Sequence, residues 1–353
     1  MNKNHIRKIR QLLKDWYLIH KRTLPWRETN DPYKIWISEI ILQQTRVNQG
    51  LDYYIHFIER FPDVKSLATA DEMEVLKYWQ GLGYYSRARN LHKAARKIVT
   101  DFDGKFPLTY SEVISLPGIG EYTASAICSF AFDHAHAAVD GNIFRVISRL
   151  VADATPIDTP KGKKFFTETA QMLLDIKSPG LHNQAIMEFG ALQCTPVNPD
   201  CELCVLRDFC EADKRSLVNQ LPVKQGKIKV TNRYFNYFFI KNSEFTYLQK
   251  RTAKDIWQNL YEFPLIETDR AMNIQELTET ENFKQLFAEC EITIGKIGNP
   301  VKHILSHRIV NAVFYQVHIP SENERISTFL KIRTDELNHY AVSRLTERYL
   351  EQD

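Results

Sequence analysis

Residues 116–124 read LPGIGEYTA, and this short stretch decides the fold of the first half of the chain. Helical patterns of apolar residues lie on both sides of it, near 109–115 and 120–132. A Pro-Gly-Ile-Gly turn contains two glycines that can adopt positive φ, and it carries little side-chain bulk. Its amides can therefore point outward at the start of the second helix, where the helix dipole favours a phosphate. A tight turn without any ligand is the alternative, and the pentapeptide alone does not separate the two.

Helical patterning extends outward from this turn over residues 1–193, where apolar residues recur at three- and four-residue steps. The texture changes after Cys210. Aromatic and β-branched runs predict strands at 233–240, 245–251 and 309–319, with helices at 273–290 and near 334–350. We therefore predict a mainly α N-terminal part followed by an α+β domain. The expected boundaries are a helical domain at 1–213, a basic linker at 214–232 and an α+β domain at 233–353.

Composition places the chain among ordinary globular proteins and excludes disordered and collagen-like classes. It has 353 residues, of which 44% are hydrophobic and 25% charged. No run approaches the ~18 apolar residues of a membrane span, and the N-terminus lacks the apolar core of a signal peptide. We therefore expect a cytoplasmic protein without a membrane partner.

Charge is nearly balanced, with a formal net charge of +3, so its location matters more than its sum. Residues 214–243 contain no Asp or Glu. Such a stretch suits a polyanion, although a solvated basic linker is an equally good interpretation. Its basic residues are Lys214, Arg215, Lys224, Lys227, Lys229, Arg233 and Lys241.

Four of the six cysteines fall within residues 194–210, with the spacing C-x6-C-x2-C-x5-C. In a cytosolic protein such a group indicates a metal site rather than disulfides. Four thiolates can hold a tetrahedral zinc or a [4Fe–4S] cluster, and chemistry alone leaves both open. The four are Cys194, Cys201, Cys204 and Cys210, whereas Cys128 and Cys290 stand alone.

Two carboxylates are candidates for chemistry. Glu39 lies in the apolar run WISEIIL, where it either faces solvent or is partly buried with a raised pKa that suits a general acid. Taken by itself, the run favours solvent exposure. Asp140 precedes Gly-Asn, as a helix N-cap does, but it also follows an apolar stretch that would leave it poorly solvated. The spacing alone favours the cap.

Together these features resemble the helix-hairpin-helix DNA glycosylases that carry an iron–sulfur cluster, and among them the adenine DNA glycosylase family. The resemblance covers nearly the whole chain, and the cysteine spacing in this family binds a [4Fe–4S] cluster. The residues that carry it are WISEIILQQTRV (36–47), GLGYYSRARNL (81–91), LPGIGEYTA (116–124), VDGNIFRV (139–146), the four-cysteine loop and DIWQNLYEFP (255–264).

The resemblance implies a catalytic set. Glu39 matches the general acid that protonates adenine, and Asp140 matches the carboxylate that stabilises the oxocarbenium-like sugar, with transient covalent attachment as one route. Asn142 matches a polar neighbour that helps to hold the site. Related bifunctional glycosylases have a lysine at the position of Tyr122. Because a phenol cannot form a Schiff base, the chain is expected to be monofunctional.

The resemblance also implies contacts to a flipped base and to the duplex. Arg27 and Gln184 match positions near the adenine pocket, and Gln44 and Tyr84 match residues that wedge the helix open. A surface amide and a core aromatic are the plain structural interpretations of Gln44 and Tyr84. In the same comparison, Gly118 and Gly120 of the hairpin are expected to bind the DNA backbone.

The second domain resembles the MutT-like domain that recognises 8-oxoguanine in this family. The family carries Phe-Ser-His in one loop, and the matching residues here are Leu305, Ser306 and His307. Ser306 and His307 keep the polar pair, whereas Leu305 departs from the pattern and removes an aromatic ring. An ordinary polar turn between strands is the structural alternative.

The expected protein is a monomeric bacterial enzyme that excises adenine opposite 8-oxoguanine or guanine in double-stranded DNA during base-excision repair. Three alternative functions are less consistent with these residues. Tyr122 and the second domain argue against a pyrimidine-specific lyase like endonuclease III. A nucleotide pyrophosphohydrolase would need a Glu-rich metal box, which residues 225–353 lack. A non-catalytic DNA-binding protein would have no reason to keep both Glu39 and Asp140.

Overall fold

The computed structural model describes residues 2–226 and 230–351. The chain forms two compact units. The first contains Met1–Thr69 and Asn90–Gly226, and the second contains Ala70–Arg89 and Lys227–Asp353. The second unit therefore includes a segment from the helical part of the sequence. The predicted domain boundaries stay a prediction, and Lys227 and Lys229 of the predicted basic linker lie outside the described residues.

The first part of the chain is helical, as predicted. Helix α5 belongs to the second unit, and α6 crosses from the second unit into the first. The helices are α1 (Lys3–His20), α2 (Pro32–Ile41), α3 (Val47–Arg60), α4 (Val64–Thr69), α5 (Glu72–Tyr78), α6 (Ser86–Asp101), α7 (Tyr110–Ile114), α8 (Glu121–Phe132), α9 (Gly141–Val151), α10 (Pro160–Leu173), α11 (Pro179–Leu192) and α12 (Glu211–Lys214).

The LPGIG turn joins α7 to α8, and only one of its glycines uses a positive φ. Gly118 has φ +78°, and a Cβ there would lie 2.6 Å from the Cβ of Asn90, so the position requires glycine. Gly120 has φ −101° and forms the N-cap of α8 in an extended conformation. A Cβ on Gly120 would meet nothing within 4 Å, which leaves open space beside the first turn of α8.

The core of the first unit joins the terminal helices to the cysteine loop. Apolar side chains of α1, α9, α10 and α11 pack together, among them Trp16, Ile147, Phe166 and Phe189. Cys194 and Cys204 are partly buried and pack against this core. The loop that follows α11 is therefore attached to the helix that begins at Gly141.

The second unit contains a mixed sheet, which confirms the predicted α+β class. Strand β1 pairs in parallel with β7, and the other pairings are antiparallel: β1 with β2 and β4, β2 with β3 and β8, and β7 with β5 and β6. The strands are β1 (Thr231–Asn242), β2 (Phe245–Lys250), β3 (Tyr261–Glu262), β4 (Leu265–Thr268), β5 (Thr293–Ile297), β6 (Val301–Ile304), β7 (Arg308–His318) and β8 (Leu330–Arg333).

The predicted strands correspond to β1, β2 and β7, but the predicted helix at 273–290 is two helices, α13 (Ile274–Thr278) and α14 (Glu281–Leu286). The break has a local cause, because the Thr280 side chain accepts a hydrogen bond from the Phe283 amide and starts a new helix. The C-terminal helix is α15 (Arg344–Leu350), preceded by a 3₁₀ segment at Thr334–His339. Among the described residues, no helix combines the length and apolarity that crossing a membrane requires.

Candidate active site

A cleft of about 680 Å³ lies in the first unit, between α2 and the N-terminal ends of α8 and α9, with α11 beside it. It brings together residues that are far apart in the sequence. The predicted site residues that line it are Arg27, Glu39, Gln44, Gly120, Tyr122, Asp140, Asn142 and Gln184. Among the residues that the structure describes, Gly118 does not line this cleft.

Glu39 lies on α2, which begins where Asp31 caps the helix and Pro32 occupies its first position. Because α2 packs against α8, the Glu39 side chain is only 8% exposed, so the expectation of solvent exposure from the bare sequence is wrong. The Tyr122 hydroxyl donates a hydrogen bond of 2.6 Å to Oε2 of Glu39. Burial raises the pKa of Glu39 to about 7, and nearby Asp140 adds to the rise, while Tyr122 and Arg27 oppose it.

Asp140 is both a helix cap and a poorly solvated carboxylate, so both interpretations of its sequence context hold. Its Oδ1 accepts a 2.8 Å hydrogen bond from the Ile143 amide at the start of α9, and its Oδ2 accepts one of 2.7 Å from Nδ2 of Asn142. Removal from water raises its pKa, and these donors oppose the rise. The two hydrogen bonds thereby fix the orientation of the Asp140 carboxylate.

Arg145 links this carboxylate to the cysteine loop, and sequence reasoning missed it. Its Nη2 donates to Oδ1 of Asn142 (2.9 Å) and to the carbonyl of Gly190 (2.6 Å), and its Nε donates to the carbonyl of Cys194 (2.7 Å). Arg145 is 8% exposed. An arginine inside the apolar pattern of VDGNIFRV was the available signal, since a buried guanidinium needs partners.

Glu188 on α11 was also missed, although it sits in an apolar helix as Glu39 does. It is 1% exposed and binds two guanidiniums: Arg22 through 2.8 and 2.6 Å bonds, and Arg27 through 2.9 and 2.6 Å bonds. Burial alone would raise the pKa of Glu188, but the two arginines lower it to about 2. Within this cleft, Glu39 is therefore suited to holding a proton, whereas Glu188 stays charged.

The four clustered cysteines are all free thiols, partly buried in the loop after α11. The pKa of Cys204 is raised to about 12, first by burial and also by the three other thiols, which lie close enough to interact with it. Nη1 of Arg149 lies 3.4 Å from Sγ of Cys194 and supplies positive charge. Among the described residues, no three His, Cys, Asp or Glu side chains are grouped closely enough for one metal ion. Four interacting thiols in one loop fit the Cys₄ ligand set of an iron–sulfur cluster.

A second cavity, of about 560 Å³, lies within the second unit, and it contains the other predicted contact residues. Tyr84, Ser306 and His307 line it together with Leu305. The Tyr84 hydroxyl hydrogen-bonds Oγ of Ser306. Tyr84 is 44% exposed and has φ 47°, so it is not the core aromatic of the plain structural interpretation.

Comparisons with known proteins match three stretches of the chain. Residues 37–170 match the HhH-GPD superfamily of base excision DNA repair proteins, and residues 194–210 match the iron–sulfur binding domain of endonuclease III. Residues 236–352 match the NUDIX domain. A thermostable thymine-DNA glycosylase is similar in structure over 60% of this chain and 98% of its own, with 28% identity and a TM-score of 0.56.

The hairpin, the cleft and the cysteine loop thus define a helix-hairpin-helix DNA glycosylase with an iron–sulfur cluster, as predicted. An adenine DNA glycosylase of Buchnera aphidicola subsp. Schizaphis graminum is 38% identical over 73% of this chain and 75% of its own. One from Buchnera aphidicola subsp. Baizongia pistaciae is 36% identical, with 84% and 82% coverage, and one from Mus musculus is 42% identical, with 62% and 44%. The chain belongs to the adenine DNA glycosylase family, that of MutY.

Proposed function

We propose that this glycosylase excises adenine paired with 8-oxoguanine or guanine in duplex DNA, and that it leaves the DNA backbone intact. The observation that carries the proposal is the pairing of Glu39 and Asp140 in one cleft, with different surroundings for each carboxyl group. Two carboxyl groups with unlike roles are the usual machinery for breaking a glycosidic bond. Membership of the adenine DNA glycosylase family supports adenine as the leaving base.

Glu39 supplies the proton. Because its pKa is about 7, a large fraction of the carboxyl is protonated near neutral pH. The proton moves to a ring nitrogen of adenine as the bond between the base and C1′ breaks, and the bonding electrons leave with the base. The Tyr122 hydroxyl fixes the orientation of the acid during this transfer, because it donates a hydrogen bond of 2.6 Å to Oε2 of Glu39.

Asp140 stabilises the positive sugar that remains. Its hydrogen bonds from Ile143 and Asn142 favour the ionised form, in opposition to burial. A carboxylate held this way attracts the oxocarbenium-like centre by charge, or by a bond that later reverses. Water then adds to C1′, its proton is released, and an abasic site results.

The base pocket lies beside this pair. Adenine must leave the stack before its glycosidic bond is accessible. Arg27 is held by Glu188, and the Tyr17 hydroxyl donates 2.8 Å to Oε1 of Gln184, so both polar groups are oriented in advance. The Gln184 amide nitrogen is then available to a ring nitrogen of the base.

The first turn of α8 suits a DNA phosphate. Its amides have no intrahelical partner, Gly120 provides no side-chain cap, and the space beside Gly120 is open. Gln44, exposed and with φ 57°, lies at the rim of the same cleft. These features support contact with the strand that contains the target adenine.

Recognition of the opposite base is assigned to Ser306 and His307 in the second cavity. The oxidised base differs from guanine by a donor at N7 and a carbonyl at C8. The Ser306 hydroxyl can accept from that donor, which guanine does not offer. Both side chains are exposed, as a base-contacting pair must be.

Cys194, Cys201, Cys204 and Cys210 would hold the iron–sulfur cluster, which when bound would supply single-electron exchange and a crosslink within the loop. No step above depends on it. A lyase reaction would need an amine in the cleft. Position 122 supplies a phenol whose burial raises its pKa well above the usual value, so the phenol stays neutral.

The test uses a duplex with one A:8-oxoguanine pair. The protein should release free adenine, and strand breakage should appear only after alkali. Borohydride should trap little covalent protein–DNA complex. Breakage without alkali together with abundant trapping would show a lyase, and no adenine release would reject the proposal.

A further inference from the structure

The Ser306–His307 pair forms the two central residues of a hairpin turn. The Leu305 amide donates to the Arg308 carbonyl (2.8 Å), and strands β6 and β7 continue on either side with Ile304 opposite Ile309. The His307 carbonyl accepts a further bond from the Thr231 amide (3.1 Å). The backbone of the turn is thus fixed at its base, while both polar side chains remain exposed.

Three segments form the walls of the second cavity. They are residues 82–89, the loop Lys254–Trp257 and the hairpin, residues 304–308. Trp257 packs edge-on against His303 of β6, with ring centroids 5.8 Å apart. The loop and the hairpin therefore share an apolar contact at the base of the cavity.

Asp255 makes the polar connection between this loop and the hairpin, because three arginines meet on its carboxylate. Arg308, at the start of β7, binds Oδ1. Arg233 of β1 binds Oδ2 at 2.5 Å, and Arg251, just after β2, binds it at 3.2 Å. Burial alone would raise the pKa of Asp255, but hydrogen bonds from Arg233, Arg308 and the Ile256 amide lower it to about 2, so it is charged at any physiological pH.

Two of the three arginines have a second acidic partner. Arg251 also binds Glu262 at 2.7 Å, and Arg233 also binds Glu267 at 2.6 Å. Within the described residues, Asp255 is the acidic partner of Arg308. Through Arg233 and Arg251, Asp255 is attached to strands β1 and β2. It thus connects these strands to Arg308, the residue directly after the Ser306–His307 turn.

We propose that Asp255 is a positioning residue that holds the Ser306–His307 turn, through Arg308, in the orientation that distinguishes 8-oxoguanine from guanine. The inference rests on the proposed role of Ser306 and His307. A hydrogen bond weakens steeply when its angle is poor, so small rotations of the turn would reduce discrimination before they reduce DNA binding.

The experiment measures dissociation constants for A:8-oxoguanine and A:G duplexes in a Glu39→Gln background, so that the DNA stays intact. The discrimination ratio is the dissociation constant for A:G divided by that for A:8-oxoguanine. Asp255→Asn should lower this ratio by a few-fold to about tenfold, which is the range expected for the loss of one hydrogen bond. Glu267→Gln is the matched control, because it removes a similar ion pair from Arg233 without touching Arg308. Its ratio should stay unchanged.

Arg308→Gln deletes the same link from its other side and should give the same loss. Combined with Asp255→Asn it should add nothing, because both changes break one connection. If Asp255→Asn fails to fold, Arg308→Gln decides alone. An equal change in affinity for both duplexes, or an equal loss in Glu267→Gln, would overturn the proposal.

A Ser306→Ala/His307→Ala variant separates this inference from the function on which it rests. If that variant keeps full discrimination, the recognition proposal itself fails. If it loses discrimination while Asp255→Asn and Arg308→Gln keep it, only the role of Asp255 is rejected.

Discussion

Glu39 is buried and Asp255 is half-buried, and their surroundings give the two carboxyl groups opposite properties. Glu39 lies among apolar side chains of α2 and α8, and burial raises its pKa to about 7. Asp255 binds three arginines, and the hydrogen bonds from two of them, Arg233 and Arg308, help to lower its pKa to about 2. The first carboxyl can therefore give up a proton near neutral pH, whereas the second can only hold cations in place.

Within the active-site cleft, Glu188 repeats the second pattern beside Glu39, with Arg22 and Arg27 as its cations. A buried carboxyl with arginine partners orients other groups, and one without them is available for proton transfer. The chemistry of this protein is thus assigned by the neighbours of each carboxyl group. The predictions that follow probe this contrast in order of expected effect.

The largest effect is expected on the cluster when one of the four grouped cysteines is replaced. Replacement of an isolated cysteine provides the contrast. Cys204→Ser should remove most of the bound iron and the visible iron–sulfur absorbance, since each thiolate holds one iron. Cys290→Ser is the control and should keep both, because Cys290 lies in the second unit. A folded, active protein with one zinc and no iron would contradict the assignment of the four cysteines.

Removing either catalytic carboxyl should nearly abolish turnover. Glu39→Gln cannot donate the proton and Asp140→Asn loses the negative charge, so each should lower the single-turnover rate by roughly 10²–10⁴-fold. Binding to the A:8-oxoguanine duplex should survive. Glu121→Gln is a control, since Glu121 lines the same cleft but is exposed. A similar loss in that variant, or an active Glu39→Gln enzyme, would refute the roles assigned.

The rate should depend on pH through Glu39. The acid form predominates below about pH 7 and is lost above it, so the single-turnover rate should fall about tenfold per pH unit in the alkaline range. Ionisation of Asp140 should set an acidic limb above the ordinary range of an aspartate, because its pKa is raised. A rate that stays constant from about pH 6 to about pH 9 would exclude Glu39 as the acid.

The smallest effect is expected at the recognition turn. The Ser306→Ala/His307→Ala variant should reduce the preference for A:8-oxoguanine over A:G by a few-fold to about tenfold, the value of one matched hydrogen bond. Its rate on saturating A:8-oxoguanine substrate should change little. Competition between the two duplexes measures this preference directly. A large fall in the saturated rate would place the pair in the chemistry instead.

Sequence alone could predict features that depend on local geometry. The Asp140 cap, the Gly118 turn and the helix start at Pro32 all follow from neighbouring residues, and each is present. The spacing of the four grouped cysteines was enough to indicate a metal site. The resemblance to a known family then assigned roles that no local pattern could supply.

Long-range partners could not be predicted. Whether Glu39 is buried depends on α8, 83 residues away at Tyr122, and Glu188 meets Arg27 across 161 residues. An apolar pattern shows that a helix has a buried face but not which cation reaches it. The split of the predicted helix at 273–290 was missed because a single capping threonine, Thr280, outweighed the apolar periodicity.

The role of Glu39 as the general acid is tested most directly by a titration of its carboxyl group. Infrared difference spectra between the native protein and Glu39→Gln, recorded from about pH 5 to about pH 9, isolate the protonated form of this one group. We expect a midpoint near pH 7, as burial without a strong cation partner requires. A carboxyl that is already ionised throughout this range would contradict this expectation, because Glu39 would then resemble Asp255 and could not serve as the acid.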